Sequence, residues 1–172
     1  MYTPFGMRVL RRLVFGSRET IAGTVYGTII VMSVLAAGAR AYRHELSQLG
    51  LVAGGSALVL WIAHVYSHGL GESVERGRRL TITELVAIAR REYSILLAAI
   101  PPVVVIELGG AGLLKQRTAF FIAIVLGGAA LTYQGVRYAR LERLSRLGVV
   151  ITIAVNLMLA LAIIAIEVAV AH

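Results

Sequence analysis

Five long apolar stretches, separated by short polar pieces rich in arginine, make up most of this 172-residue chain. The stretches cover roughly residues 19–38, 49–70, 93–114, 119–136 and 147–171. Each is long enough to cross the hydrocarbon core of a bilayer as a helix, which takes about 20 residues. The pattern predicts an all-α integral membrane protein with a single domain of five transmembrane helices over residues 19–172.

The composition agrees with a lipid environment. The chain is 58% hydrophobic and only 15% charged, with a mean hydropathy of +0.82, which is more apolar than a soluble domain can bury. The net charge of +8 does not indicate a nucleic-acid partner, because the arginines lie between the apolar stretches, where they set topology. The chain has no cysteine, which excludes disulfides, thiolate metal sites and thiol nucleophiles.

The distribution of basic residues predicts the orientation. The pieces 1–18, 71–92 and 137–146 hold 4, 5 and 4 of the 17 Lys and Arg residues, whereas the alternate pieces hold 2, 2 and none. The positive-inside rule therefore places the amino terminus in the cytoplasm and the carboxyl terminus outside. We expect residues 1–18 to form a basic interfacial segment with a short amphipathic helix, and the membrane to be the inner membrane of a prokaryotic cell.

The piece between the second and third stretches is predicted to form a helical extension on the cytoplasmic side, at about residues 72–92. Thr81 and Glu84 have the spacing of a capping box, and no helix breaker follows them. The helix is therefore expected to continue straight into the third stretch. There Pro101 and Pro102 remove two backbone donors, which predicts a kink or an interruption of the helix near mid-bilayer.

Ionisable residues inside a membrane are costly unless they are paired or face water, so they are the candidates for function. His64 and His68 lie four residues apart, and Glu72 extends the same helical face by one turn. Two imidazoles and a carboxylate suit a divalent cation. The alternative is that the histidines only form hydrogen bonds with neighbouring groups or lipid headgroups.

The first stretch offers a second candidate face. Glu19, Gly23, Tyr26 and Gly27 share one side of the helix, and the spacing of the two glycines allows another helix to approach closely. Glu19 and Tyr26 are candidates for lining a pathway, while Gly23 and Gly27 form a candidate helix–helix interface. Alternatively, Glu19 is stabilised by its position at a helix amino terminus, and both glycines serve packing within the chain.

Three further carboxylates are candidates for the pathway or for proton coupling. Glu92 precedes the third stretch, Glu107 lies within it and Glu167 lies within the fifth. The last two are expected nearer the outer side, where they either pair with each other or stay protonated.

Two motifs resemble the vacuolar iron transporter family. Residues 14–27, VFGSRETIAGTVYG, are similar to the opening of that family, which has a VFG-like start followed by an Asn/Ser-Asp-Gly triplet and a helix with small residues. Residues 67–73, SHGLGES, resemble the signature of its second helix, a Ser-Met followed two residues later by Gly-Glu. The plan of five helices with a basic cytoplasmic loop after the second is also similar.

The resemblance implies a function for individual residues. Glu19 corresponds to an aspartate that moves the metal, His68 stands where the family has methionine, and Glu72 matches the family's glutamate. Imidazole still binds late divalent metals, so Fe, Mn, Co, Ni or Zn is the implied cargo. The family's long glutamate-rich metal-binding domain is missing here, which implies a short divergent member. The family works as homodimers with the first helices at the centre.

The sequence therefore favours a divalent metal transporter, with proton-coupled export from the cytoplasm as the implied mechanism. One alternative is a small membrane subunit that does not transport but docks a partner or anionic lipid through its arginine-rich inner face. Another is a small ion channel. An enzyme is not expected, because no set of nucleophile and base or spaced carboxylates is evident. No cofactor is predicted beyond the metal cargo.

Overall fold

Six helices form the described part of the chain. A computed structural model describes the backbone over residues 18–42 and 44–170, and the side chains over 20–42, 44–159, 161, 162 and 165. In chain order the helices are α1 (Arg18–Gly38), α2 (Leu46–Glu75), α3 (Ile82–Glu92), α4 (Ser94–Gly110), α5 (Gln116–Leu141) and α6 (Arg146–Val170). These ranges contain no strand, so the all-α prediction is confirmed. The predicted interfacial segment lies outside the described residues, apart from the backbone of its last residue.

Within the described residues, three helices are long and apolar enough to cross a membrane: Thr20–Gly38, Leu46–Glu75 and Gln116–Leu141. The pair α3 and α4 adds a fourth span if it is counted as one bent unit. The described apolar part of α6, Arg146–Leu159, is shorter than a full span. The helices are thus those of an integral membrane protein, while the fifth span and the orientation stay predictions.

Helix α1 is the centre of the bundle, because it packs against each of the other five helices. Val31 and Leu35 on this helix are fully buried. The threonines of α1 do not interrupt it, since Thr24 and Thr28 donate their hydroxyls to the carbonyl oxygens one turn earlier, at 2.7 and 2.8 Å. Such bonds satisfy a polar side chain without a partner outside the helix.

One close approach in the bundle joins α1 to the start of α4. A Cβ atom added at Gly27 would lie 2.6 Å from the carbonyl oxygen of Ile95 and 3.2 Å from the Cβ of Ala98. A Cβ atom at Gly23 would meet the hydroxyl of Ser94. Both glycines therefore serve a helix contact within the chain. Helix α4 covers the face that a second copy would need in order to pack on these glycines.

The break in the third apolar stretch lies at Tyr93 and not at the prolines. Helix α4 continues through Pro101 and Pro102, whereas α3 and α4 meet at an angle of 45°. The prediction of a straight α3–α4 helix is therefore wrong. The prolines do not interrupt α4, while the kink predicted at Pro101 and Pro102 stays a prediction. The bend lies where the character of the chain changes, because α3 has charged residues in its last turn and α4 is almost wholly apolar.

The turn from α2 to α3 is fixed by two local motifs. Gly77, with φ of +61°, ends α2 in the left-handed conformation that favours glycine. The predicted capping box is confirmed: the backbone N–H of Thr81 donates to the Glu84 carboxylate at 2.8 Å, and the backbone N–H of Glu84 donates to the Thr81 hydroxyl at 3.3 Å. Helix α3 thus starts where the sequence predicts.

Replacing Gly27 with alanine tests the α1–α4 contact. The added Cβ meets backbone atoms of Ile95, which cannot move aside as a flexible side chain does, so we expect a loss of about 1–3 kcal/mol in stability. Gly128→Ala is the matched control, because a Cβ there meets nothing within 4 Å. Thermal unfolding in detergent should show a lower Tm for Gly27→Ala alone; equal Tm values for both variants would contradict this packing.

Candidate functional site

A cleft of about 280 Å³ lies between α1, α2 and the end of α3. Its lining consists of Ala22, Gly23, Tyr26, His64, His68 and Glu92. All of these except Ala22 are residues that the sequence analysis singled out. The structure therefore brings Tyr26 of α1 and His64 and His68 of α2 together with Glu92.

The two histidines lie side by side on α2, as their spacing predicts. Their ring centroids are 6.0 Å apart, and the ring of Tyr26 on α1 lies 5.0 Å from that of His64. The Nδ1 atom of His64 lies 3.2 Å from the carbonyl oxygen of Leu60, one turn earlier. A carbonyl oxygen only accepts, so this contact places the ring hydrogen on Nδ1 and leaves Nε2 as the free acceptor of the neutral ring.

His68 is oriented in the same way, by a carboxylate instead of a carbonyl group. Its Nδ1 atom lies 3.0 Å from Oε1 of Glu92, and the Glu92 side chain is 11% exposed while that of His68 is 51% exposed. The acceptor is thus held inside the protein and the imidazole reaches out of it. Both histidines have Nδ1 engaged by an acceptor, which is the arrangement that orients metal-binding histidines through Nε2.

Trp61 fixes α3 against α2 so that Glu92 can reach His68. The indole Nε1 donates to the carbonyl oxygen of Ala89 at 3.1 Å. Ala89 precedes Glu92 by three residues, so the two residues lie on neighbouring positions of the same helix face. The bend at Tyr93 then lets α4 leave toward α1, which keeps Glu92 at the cleft.

Glu72 does not line the cleft, although it follows His68 by one turn. Its carboxylate accepts hydrogen bonds from Arg91 and from Arg76, the latter at 2.9 Å. Arg76 and Arg78 also donate to Glu84, at 2.5 and 2.7 Å. These contacts form an exposed ion-pair network between the end of α2 and α3. The hydrogen bond and charge of Glu84 raise the pKa of Arg78, which stays protonated.

The remaining candidates lie apart from the cleft or outside the description. Glu107 lies between α4 and α2, where its Oε1 atom is buried against Gly50 and has no hydrogen-bond partner among the described residues. The backbone of Glu19 lies in the first turn of α1 and that of Glu167 lies in α6, but both side chains lie outside the described residues. Among the described residues, no group of three or more His, Asp or Glu side chains is placed to hold a metal ion together.

Comparison with protein-family models, with characterised proteins and with solved structures finds no match to this chain. The fold and the cleft by themselves define the class of protein: a helical protein of the integral membrane type with a cleft lined by two histidines.

The pairing of His68 with Glu92 was not predicted, and a double-mutant cycle tests it. His68→Ala leaves the mostly buried carboxylate without its hydrogen-bond donor, so it should destabilise the protein more when residue 92 is glutamate than when Glu92→Gln is present. Because His68 is half exposed, we expect a coupling free energy of only about 1 kcal/mol. Thermal unfolding of the four proteins gives this value, and additive effects would show that the two side chains do not interact.

Proposed function

We propose that this chain is a membrane transporter of a divalent cation, drawn from Fe, Mn, Co, Ni and Zn, and that the cation binds in the cleft through Nε2 of His64 and His68. The observation that supports this proposal is the engagement of both Nδ1 atoms by acceptors. Histidines that ligate metals are oriented by such bonds, because these fix the tautomer and the ring plane. Two imidazoles are borderline ligands, which suit late divalent metals better than Mg²⁺ or Ca²⁺.

Glu92 orients His68 and supplies a negative charge beside the proposed cation. Replacing such a partner typically lowers metal affinity by 10- to 100-fold. Tyr26 lines the same cleft from α1, and we assign it to the wall of the entry path. The described residues offer two imidazoles and no third ligand placed with them. Water molecules and Glu19, whose side chain lies outside the described residues, are the proposed further ligands.

Protons compete with the cation at this site. An imidazole binds either a proton or a metal at Nε2, so metal binding releases protons and acidification releases metal. This competition supports exchange of the cation against protons. With the amino terminus in the cytoplasm, as the distribution of arginines predicts, a proton gradient directed inward would then drive export.

The proposal includes a relationship to the vacuolar iron transporter family, as a short divergent member with five membrane helices in a prokaryotic inner membrane. His68, which stands at the family's methionine position, lies in the cleft. Glu72, at the family's glutamate position, binds arginines, and we therefore assign it to the helix connection. A homodimer stays part of the proposal, with its contact on a face other than that of Gly23 and Gly27.

Metal flux into proteoliposomes with an internal pH dye tests the proposed function. We expect uptake of at least one of the five metals with opposing proton movement. The rate should fall at least 10-fold in His64→Ala, in His68→Ala and, through loss of orientation, in Glu92→Gln. Glu75→Gln is the matched control, because Glu75 is an exposed carboxylate at the end of α2, and it should transport like the wild type.

Two outcomes would contradict this function, and a third would contradict the proposed site. Absence of flux for every metal, from protein shown to be folded, would favour the subunit that docks a partner or lipid. Cation current without proton movement would favour a channel. Retained flux in all three cleft variants would place the pathway elsewhere in the protein.

A further inference from the structure

A second groove lies between the end of α2 and the start of α3, and it shares no lining residue with the cleft. Its volume is about 230 Å³, and it is lined by Tyr66, Gly69, Leu70, Ser73, Arg79, Leu80 and Leu85. Apart from Ser73 and the phenol of Tyr66, its polar component is Arg79. The groove thus combines one cationic group with apolar walls.

Arg79 differs from the two arginines that precede it. Arg76 and Arg78 donate to the carboxylate of Glu84, whereas no carboxylate in the described part of the chain pairs with Arg79. Its side chain is exposed at the groove. A guanidinium group in this position offers several N–H donors and a full charge to an anion.

The apolar walls continue the exposed side of α2. Ile62, Tyr66 and Leu70 follow one another at four-residue spacing and are 54%, 65% and 50% exposed. A helix that spans a bilayer turns such a stripe toward lipid. Leu85 forms the opposite wall on α3. The two helices lie close together here, since a Cβ atom added at Gly69 of α2 would lie only 3.2 Å from the Leu85 side chain. The stripe therefore leads from the lipid-facing surface into the groove.

We propose that this groove binds an anionic phospholipid, with the phosphate group at Arg79 and an acyl chain along Leu70 and Leu85. Charge complementarity selects a negatively charged headgroup. The apolar walls select a ligand with a hydrocarbon tail over a free anion. The prediction that this end of α2 faces the cytoplasm agrees with the proposal, because anionic lipids give the cytoplasmic leaflet a negative surface potential. The site is independent of cation binding in the cleft.

Native mass spectrometry of the full chain in detergent tests the site. The probes are phosphatidylglycerol and phosphatidylcholine with identical acyl chains, together with inorganic phosphate as a competitor. We expect the wild type to bind phosphatidylglycerol at least five-fold more tightly than phosphatidylcholine. The Arg79→Gln variant should lose this preference. Arg90→Gln is the matched control, since Arg90 is exposed on α3 but does not line the groove, and it should keep the preference.

A second variant, Leu70→Asn, tests the contact between the acyl chain and the apolar wall of the groove. Leu70→Asn should weaken binding of both lipids, because it removes contact with the acyl chain. Inorganic phosphate at the lipid concentration should displace nothing. Retained preference in Arg79→Gln, or equal loss in Arg90→Gln, would overturn the proposal. Displacement of phosphatidylglycerol by inorganic phosphate would also overturn the proposal, because it would show a general anion site to which the acyl chain contributes nothing.

Discussion

The close approach of α1 and α4 is the constraint on which the rest of the structure depends. Lipid tails are as apolar as the side chains of the bundle, so helices in a membrane associate through close packing. Gly23 and Gly27 allow the backbone of Ile95 to lie against α1. This contact holds the first turn of α4 in place, and the chain just before it bends at Tyr93. The same bend leaves Glu92 beside the histidines of α2.

The polar residues of the cleft differ from polar positions of the bundle that are satisfied within a single helix. Thr24 and Thr28 of α1 donate their hydroxyls to carbonyl groups one turn earlier. His68 and Glu92 instead depend on each other across two helices, which is costly to maintain unless the arrangement has a use. Glu107 is another polar group inside the bundle, because its buried Oε1 atom lies where Gly50 leaves room and has no hydrogen-bond partner in the described part of the chain.

Features that depend on neighbouring residues could be predicted from the sequence. The capping box of Thr81 and Glu84, the helical character of the chain and the shared face of His64 and His68 all follow from short spacings. Glu72 lies on that face as well, but its carboxylate binds Arg76 and Arg91 and does not line the cleft. Arg76, at the i+4 position, was a visible signal for this pairing, whereas Arg91 was not, because it comes from another helix.

Features that depend on packing between distant segments could not be predicted. His68 and Glu92 are separated by 24 residues, and contacts between α2 and α3, such as the Trp61–Ala89 hydrogen bond and the Glu72–Arg91 ion pair, bring them together. The helix continues through Pro101 and Pro102 because the packing of α4 in the bundle outweighs the local preference of proline. The sequence could not show which helix packs on Gly23 and Gly27, because a face of small residues fits a helix of a second copy as well as it fits α4.

The central claim is that a cation binds at the two histidines. The most direct test is quenching of Trp61 fluorescence by Ni²⁺ or Co²⁺. Trp61 is the single tryptophan of the chain and precedes His64 by one helical turn. The account predicts saturable quenching in the wild type, loss of the saturable phase in His64→Ala and in His68→Ala, and a shift to higher metal concentration in Glu92→Gln. The same saturable curve in both histidine variants would contradict it.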